Sequence, residues 1–189
     1  MPNIDLVNDP DFVSKGLNLG LLYHVGIVVR DMEAAKQRFG ELFGINEWRG
    51  DPVMPPPPPV QLGQKPTQAG LRWAYTKSSF PWLELLQPTD DIPWTLTDFL
   101  REKGEGVHHL GYFVDDVNAA MRKLAELGIS GSPPGTPNGV KAEPPYLVVY
   151  LDAWKTHGVS FELVDQSLRS TLVKFVMTGV WDWPPQPAR

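Results

Sequence analysis

Two stretches of the chain, residues 21–29 and 107–114, are rich in β-branched and aliphatic side chains and read as strands. Each runs into an aspartate, Asp31 or Asp116, placed to cap a following helix. The first helix is predicted to extend to about Phe43. In the second, Val117, Ala120, Leu124 and Leu127 recur at helical spacing, so one face lies on a sheet. Gly44 and Gly128 stand where the two helices would end. Further strands are predicted at 45–49, 71–77 and 82–87, then weakly near Ile129, and at 146–151 and 159–164. Each half of the chain therefore reads βαβββ.

The halves also repeat each other residue by residue. LYHVGIVVRDMEAAKQRFGELFGI from Leu22 and VHHLGYFVDDVNAAMRKLAELGI from Val107 align with a constant offset, which matches His24 with His109, Gly26 with Gly111 and Asp31 with Asp116. Each copy closes on a carboxylate between apolar neighbours, Glu84 in WLELLQ and Glu162 in SFELVD. Two histidines and two glutamates at duplicated positions point to one shared metal site.

The organisation that follows is a first module at 20–90, a linker helix at 91–105, a second module at 106–165 and a C-terminal extension at 166–189. An insertion at 51–69 carries five consecutive prolines, Pro55 to Pro59, and cannot be helix or central strand; a surface loop in polyproline or irregular form is expected. In the extension, SLRSTLVKFVMTGV reads as helical. Trp181 and Trp183 are then placed to pack on the body or a second subunit, or to fray with the terminus.

Composition narrows the functional classes. The chain has 189 residues, long enough to bury a sizeable core. A net charge of -5 and a pI of 5.3 offer no basic stripe to neutralise phosphates, which argues against a nucleic-acid partner. No apolar run approaches membrane-spanning length and the start has no signal-peptide pattern, so no membrane partner and a cytoplasmic location are expected. The absence of cysteine leaves oxygen and nitrogen ligands to carry any metal.

Strand alternation groups His24 with Gly26 and Val28, and His109 with Gly111 and Phe113; Glu84 lies opposite Leu83 and Leu85, and Glu162 opposite Phe161 and Leu163. All four polar groups are predicted to project from the sheet face that does not carry the helices. A carboxylate buried there without a partner costs several kcal/mol, and a divalent cation removes that cost. His24, Glu84, His109 and Glu162 are therefore the expected ligands. A lone histidine in a strand is more often structural; the duplication is what sets these apart. Alternation puts His108 on the opposite face as a structural residue, and His157, in the turn-like KTHG, on the surface.

These features resemble the vicinal oxygen chelate superfamily, the group containing glyoxalase I and the extradiol dioxygenases. The segments PWTLTDFLREKGEGVHHLGYFVDDVNAAMRKLAELGI and LELLQP are most similar to the methylmalonyl-CoA epimerases. The resemblance covers roughly Gly20 to Asp165. It implies an α+β fold in which two tandem βαβββ modules form a cup-shaped mixed sheet around one metal, with His24, Glu84, His109 and Glu162 on the four ligand positions. It also implies a homodimer.

Four protein ligands on an octahedral divalent ion, Ni, Co, Zn, Mn or Fe, would leave two adjacent positions for two oxygens of one small-molecule substrate. The expected function is a metal-dependent epimerase, isomerase or lyase acting through a metal-stabilised enolate on a small carbonyl substrate. Glu162 or Glu84 is the candidate to exchange between ligand and general base. Related epimerases use an additional carboxylate on the strand at 71–77, yet here it reads LRWAYTK and has no acid. Tyr75, Tyr146 and Tyr150 are candidate proton donors, and Trp73, Tyr75, Trp82, Phe113 and Tyr150 the expected substrate-binding residues. Two other classes stay open: an extradiol-type ring-cleaving dioxygenase using Fe(II), and a non-catalytic, drug-sequestering binding protein.

Overall fold

The computed structural model describes residues 17, 19–50, 69–77 and 80–181; the five prolines of the insertion and Trp183 lie outside the described residues. The first module comprises β1 (Leu22–Val28), α1 (Met32–Phe43), β2 (Trp48–Gly50), β3 (Leu71–Thr76) and β4 (Trp82–Pro88). After α2 (Thr95–Glu102), the second repeats it as β5 (Gly106–Val114), α3 (Val117–Glu126), β6 (Gly131–Ser132), β7 (Val148–Leu151) and β8 (Ser160–Asp165). α4 (Trp154–His157) lies between β7 and β8, and α5 (Arg169–Thr178) follows a 3-10 turn at Gln166–Leu168. The strands form one eight-stranded mixed sheet in the order β2-β3-β4-β1-β5-β8-β7-β6. This is the α+β architecture of two tandem modules that the repeat predicts. No described helix is long and apolar enough to cross a membrane.

The repeated aspartates cap as their positions suggest. Asp31 Oδ1 accepts from the amides of Glu33 and Ala34 at 2.9 and 3.0 Å, and Asp116 Oδ1 from those of Asn118 and Ala119 at 2.8 and 3.0 Å. Each such cap contributes about 1 kcal/mol. Gly44 ends α1 in the left-handed conformation, at φ 70°. On the outer face of the sheet, Met32 and Ala35 of α1 pack on Ala74 and Leu85, while Val117, Ala120 and Leu124 of α3 pack on Val149 and Leu163.

The inner face differs from expectation, because it too carries helices. At one end Leu96, Phe99 and Leu100 of α2 pack with Trp94 on Val28, Leu86 and Tyr150. At the other, Leu172, Phe175 and Val176 of α5 pack on Tyr23, Tyr75, Trp82, Phe113 and Val164. The inner residues of these strands are too apolar to be left in water, and two helices supply the missing cover. Trp181 packs on the body, its ring 6.4 Å from Trp73 and 5.6 Å from Phe175. Local boundaries also move: β2 begins at Trp48, β6 lies at Gly131–Ser132 beyond Ile129, and KTHG falls largely in the one-turn α4, anchored by buried Trp154.

The two central strands, β1 and β5, run antiparallel, and their register holds two irregularities. Leu22 pairs with Tyr112 but His24 with Gly111; Gly26 pairs with His109 but Ile27 with Val107. One residue is bulged out of each strand, Tyr23 from β1 and His108 from β5, and alternation breaks at those points. His108 consequently turns to the inner face, where its ring centroid lies 5.2 Å from that of Phe99 and 5.6 Å from that of Tyr150. This corrects the placement that simple alternation gives it.

Candidate metal centre

The centre is assembled by two rows of residues across the sheet. Gly26 of β1 stands between Glu84 of β4 and His109 of β5; Gly111 of β5 stands between His24 of β1 and Glu162 of β8. A Cβ at Gly26 would fall inside the His109 ring, and one at Gly111 would overlap the His24 ring. The glycines therefore provide the space in which each imidazole lies over the opposite strand. His24 Nε2 and His109 Nε2 come within 2.7 Å of each other.

Glu84 Oε2 lies 3.1 Å from His24 Nε2 and 3.3 Å from His109 Nε2. Glu162 Oε2 lies 3.1 Å and 4.0 Å from the same two atoms. Both histidines are 0% exposed, Glu84 5% and Glu162 4%. Ligand atoms of His24, His109 and Glu162 all fall within 4.8 Å of one another, an arrangement able to hold a metal ion. Glu84 reaches both imidazoles but stands outside that mutual set of three. Its Oε2 is buried without a hydrogen-bond donor, the situation a cation relieves. Two imidazole nitrogens with carboxylate oxygen suit Zn, Ni, Co, Mn or Fe, so the residues fit a divalent metal.

The groups of the centre shift the protonation of Glu84, Glu162 and His24. Burial raises the Glu84 carboxyl, but both histidines beside it outweigh the effect and pull it down to about 2. Glu162 is raised: its burial, reinforced by Glu84, exceeds the attraction of His24 and His109. Burial pushes His24 down, and the two glutamates together overcome this and raise it. Tyr23, Tyr75 and Tyr150 are all pushed well above the usual phenol range, by burial first and the carboxylates second, so they keep their protons.

Tyr23 and His108 are functional neighbours that sequence reasoning missed. The Tyr23 hydroxyl donates to Glu162 Oε2 at 3.1 Å. His108 Nδ1 lies 3.1 Å from His109 Nδ1, and its Nε2 lies 3.1 Å from Thr95 Oγ1, which accepts from Trp154 Nε1 at 3.1 Å. A His109 Nε2 with its lone pair facing the centre must carry its proton on Nδ1, donating it to His108 Nδ1; His108 then donates through Nε2 to Thr95. Burial, with His109 alongside, lowers the His108 pKa well below the ordinary value and keeps that ring neutral. His24 Nδ1 has no such partner among the described residues. The one available signal was that Tyr23 and His108 occupy the same place in the repeat.

A cavity of about 150 Å³ opens onto the centre and is lined by Glu84, Glu162, Trp73, Tyr75 and Tyr150 among others. Of the expected substrate-binding residues, Trp73, Tyr75 and Tyr150 line it. Trp82 and Phe113 instead pack behind it against Tyr23, with centroids 6.4 and 4.1 Å away. Tyr146 is turned from the site and donates to the Ala142 carbonyl, and His157 is exposed.

A sheet of two βαβββ modules, with a His-His-Glu set between its middle strands that could hold a metal ion, is the architecture of the vicinal oxygen chelate type. Residues 23–144 match the glyoxalase/bleomycin resistance protein/dioxygenase superfamily, and the chain belongs to that family. Bovine mitochondrial methylmalonyl-CoA epimerase is 29% identical over 148 residues, covering 77% of this chain and 74% of that protein. Among solved structures, a variant of the Streptomyces coelicolor methylmalonyl-CoA epimerase in complex with 2-nitronate-propionyl-CoA shares the fold with a TM-score of 0.52 at 22% identity, over 78% of this chain and 97% of the other. The Mycobacterium tuberculosis methylmalonyl-CoA epimerase gives 0.53 at 22% identity, over 81% and 91%.

Proposed function

We propose that this protein is a divalent-metal-dependent epimerase, isomerase or lyase that removes a proton from the carbon next to a carbonyl group of a small substrate. The observation that carries the reading is the convergence of His24, His109 and Glu162 on one buried point at the end of a cavity, with Glu84 beside both imidazoles. The names of the similar epimerases support the reaction class. A divalent ion held by His24, His109 and Glu162, with Glu84 as fourth ligand, would supply positions for two substrate oxygens and stabilise negative charge developing on the carbonyl oxygen.

The chain's own groups do the rest. Glu84 and Glu162 come from β4 and β8, on opposite sides of the central strand pair, and both face the cavity. Either carboxylate can take the proton. Return by the other, on the opposite face of the substrate, inverts the carbon; return to a neighbouring carbon isomerises; loss of a β-substituent eliminates. The Tyr23 hydroxyl orients Glu162, and Tyr75 is the cross-strand neighbour of Glu84 on the cavity wall. The aromatic walls exclude water from the exchange.

The test is proton exchange. Metal-loaded protein in deuterated buffer should place deuterium at the carbon adjacent to a substrate carbonyl, read by NMR, and Glu162→Gln should abolish the exchange. A second reading has its own support, because the mutual set of two histidines and one glutamate matches the ligand types of Fe(II) ring-cleaving dioxygenases. Oxygen uptake with a catechol and Fe(II), without proton exchange, would favour it.

A further inference from the structure

The chemistry of the cavity walls bears on the substrate. Its volume of about 150 Å³ is below the roughly 300–1,000 Å³ of sites for drug-sized ligands. Its walls are Trp73, Tyr75, Tyr150 and Tyr23, with Leu172 of α5 and Trp181 above. Trp73 holds this roof in place: its ring lies 5.2 Å from Phe175 and 6.4 Å from Trp181. Among the described residues lining the cavity there is no lysine or arginine. The charged groups that line it are the two carboxylates of the centre. An apolar ring between these walls would be stacked on several aromatic faces and removed from water.

We infer that the substrate is a compact carbonyl compound with two adjacent oxygens and an aromatic or similarly apolar body, and that Trp73 sets this preference. The inference rests on the function proposed above, since the adjacent oxygens are those the metal would receive. Trp73 faces the cavity from β3.

The test uses the metal-loaded full chain and two probes, phenylpyruvate and pyruvate. Binding is read by quenching of tryptophan fluorescence and by titration calorimetry, with metal content measured in parallel. Phenylpyruvate should bind at least about tenfold more tightly than pyruvate, from burial of its ring. Trp73→Ala should bring phenylpyruvate to within about threefold of pyruvate while metal content holds. Leu172→Trp, which fills the cavity from α5, is the second variant: it should lose phenylpyruvate but keep pyruvate. Pyruvate binding as tightly as phenylpyruvate, or an undiminished ring preference in both variants, would overturn the inference. A chain that takes up no metal would instead overturn the functional reading on which it stands.

Discussion

Tyr23 and His108 occupy the same place in the two halves of the protein, and both are bulged out of the central strand pair toward the metal centre. They do different work there. Tyr23 donates to the carboxylate of Glu162, and His108 faces the back of the His109 ring. The two halves thus share a backbone device and differ in what it presents.

His108 is expected to tune metal affinity without touching the metal. His108→Phe keeps the ring packing but removes the acceptor for His109 Nδ1, and should weaken binding of Zn or Co about 10–100-fold. His108→Asn, whose carbonyl oxygen can replace Nδ1 as acceptor, should recover most of the loss. Calorimetric titration of the two variants, with the Co(II) absorption spectrum as a report on geometry, distinguishes this from loss of folding.

Gly111 and Gly26 should not tolerate alanine. A methyl group at Gly111 must displace the His24 ring, and one at Gly26 the His109 ring. Each variant should lose about 1–3 kcal/mol of stability from overpacking, together with stoichiometric metal. Urea unfolding and elemental analysis of the purified variants check both effects; a Gly111→Ala protein with wild-type metal content would contradict the geometry.

Purified protein is expected to carry about one divalent ion per chain. His109→Ala and Glu162→Ala should each abolish that content and the proton exchange with it. Glu84→Gln is the more informative variant. Retained metal with lost exchange would assign Glu84 to proton transfer, whereas loss of both would assign it to holding the ion.

The metal-free protein should have an acid-side stability maximum. Glu84, pulled down to about 2 from an ordinary value of 4.5, contributes stability above 4.5 that disappears as pH falls toward 2. Glu162 and His24 are raised, so their contributions are present below 4.5 and 6.5 respectively and are lost as pH climbs through their folded values. Thermal melts of chelator-treated protein should therefore fall from weakly acid toward alkaline pH. Added divalent metal should flatten the decline, since it favours both carboxylates charged. A pH-independent Tm in the chelated protein would count against this electrostatic account.

Much of this architecture is legible in the sequence because it is local. Asp31 and Asp116 announce two helices, and short strands place His24, Glu84, His109 and Glu162 on one face through simple alternation. What is not legible depends on partners distant in the chain. The bulges at Tyr23 and His108 arise only when β1 meets β5, so alternation misplaces His108. The apolar positions Leu172, Phe175 and Val176 mark α5 as amphipathic, but nothing local says that it covers the inner face. Lys155, Thr156 and His157 read as a turn because the anchor of α4 is the burial of Trp154, a long-range event.

The near-exact exchange of pairings about the middle of β1 and β5 has an evolutionary implication. Two separate copies of a single half, meeting edge to edge through that strand, would build the same centre with twofold symmetry. Joining them on one polypeptide frees each position from its twin, so that a mutation alters one side of the centre alone. A tyrosine at 23 against a histidine at 108 is the kind of divergence that a symmetric pair of identical chains can never acquire.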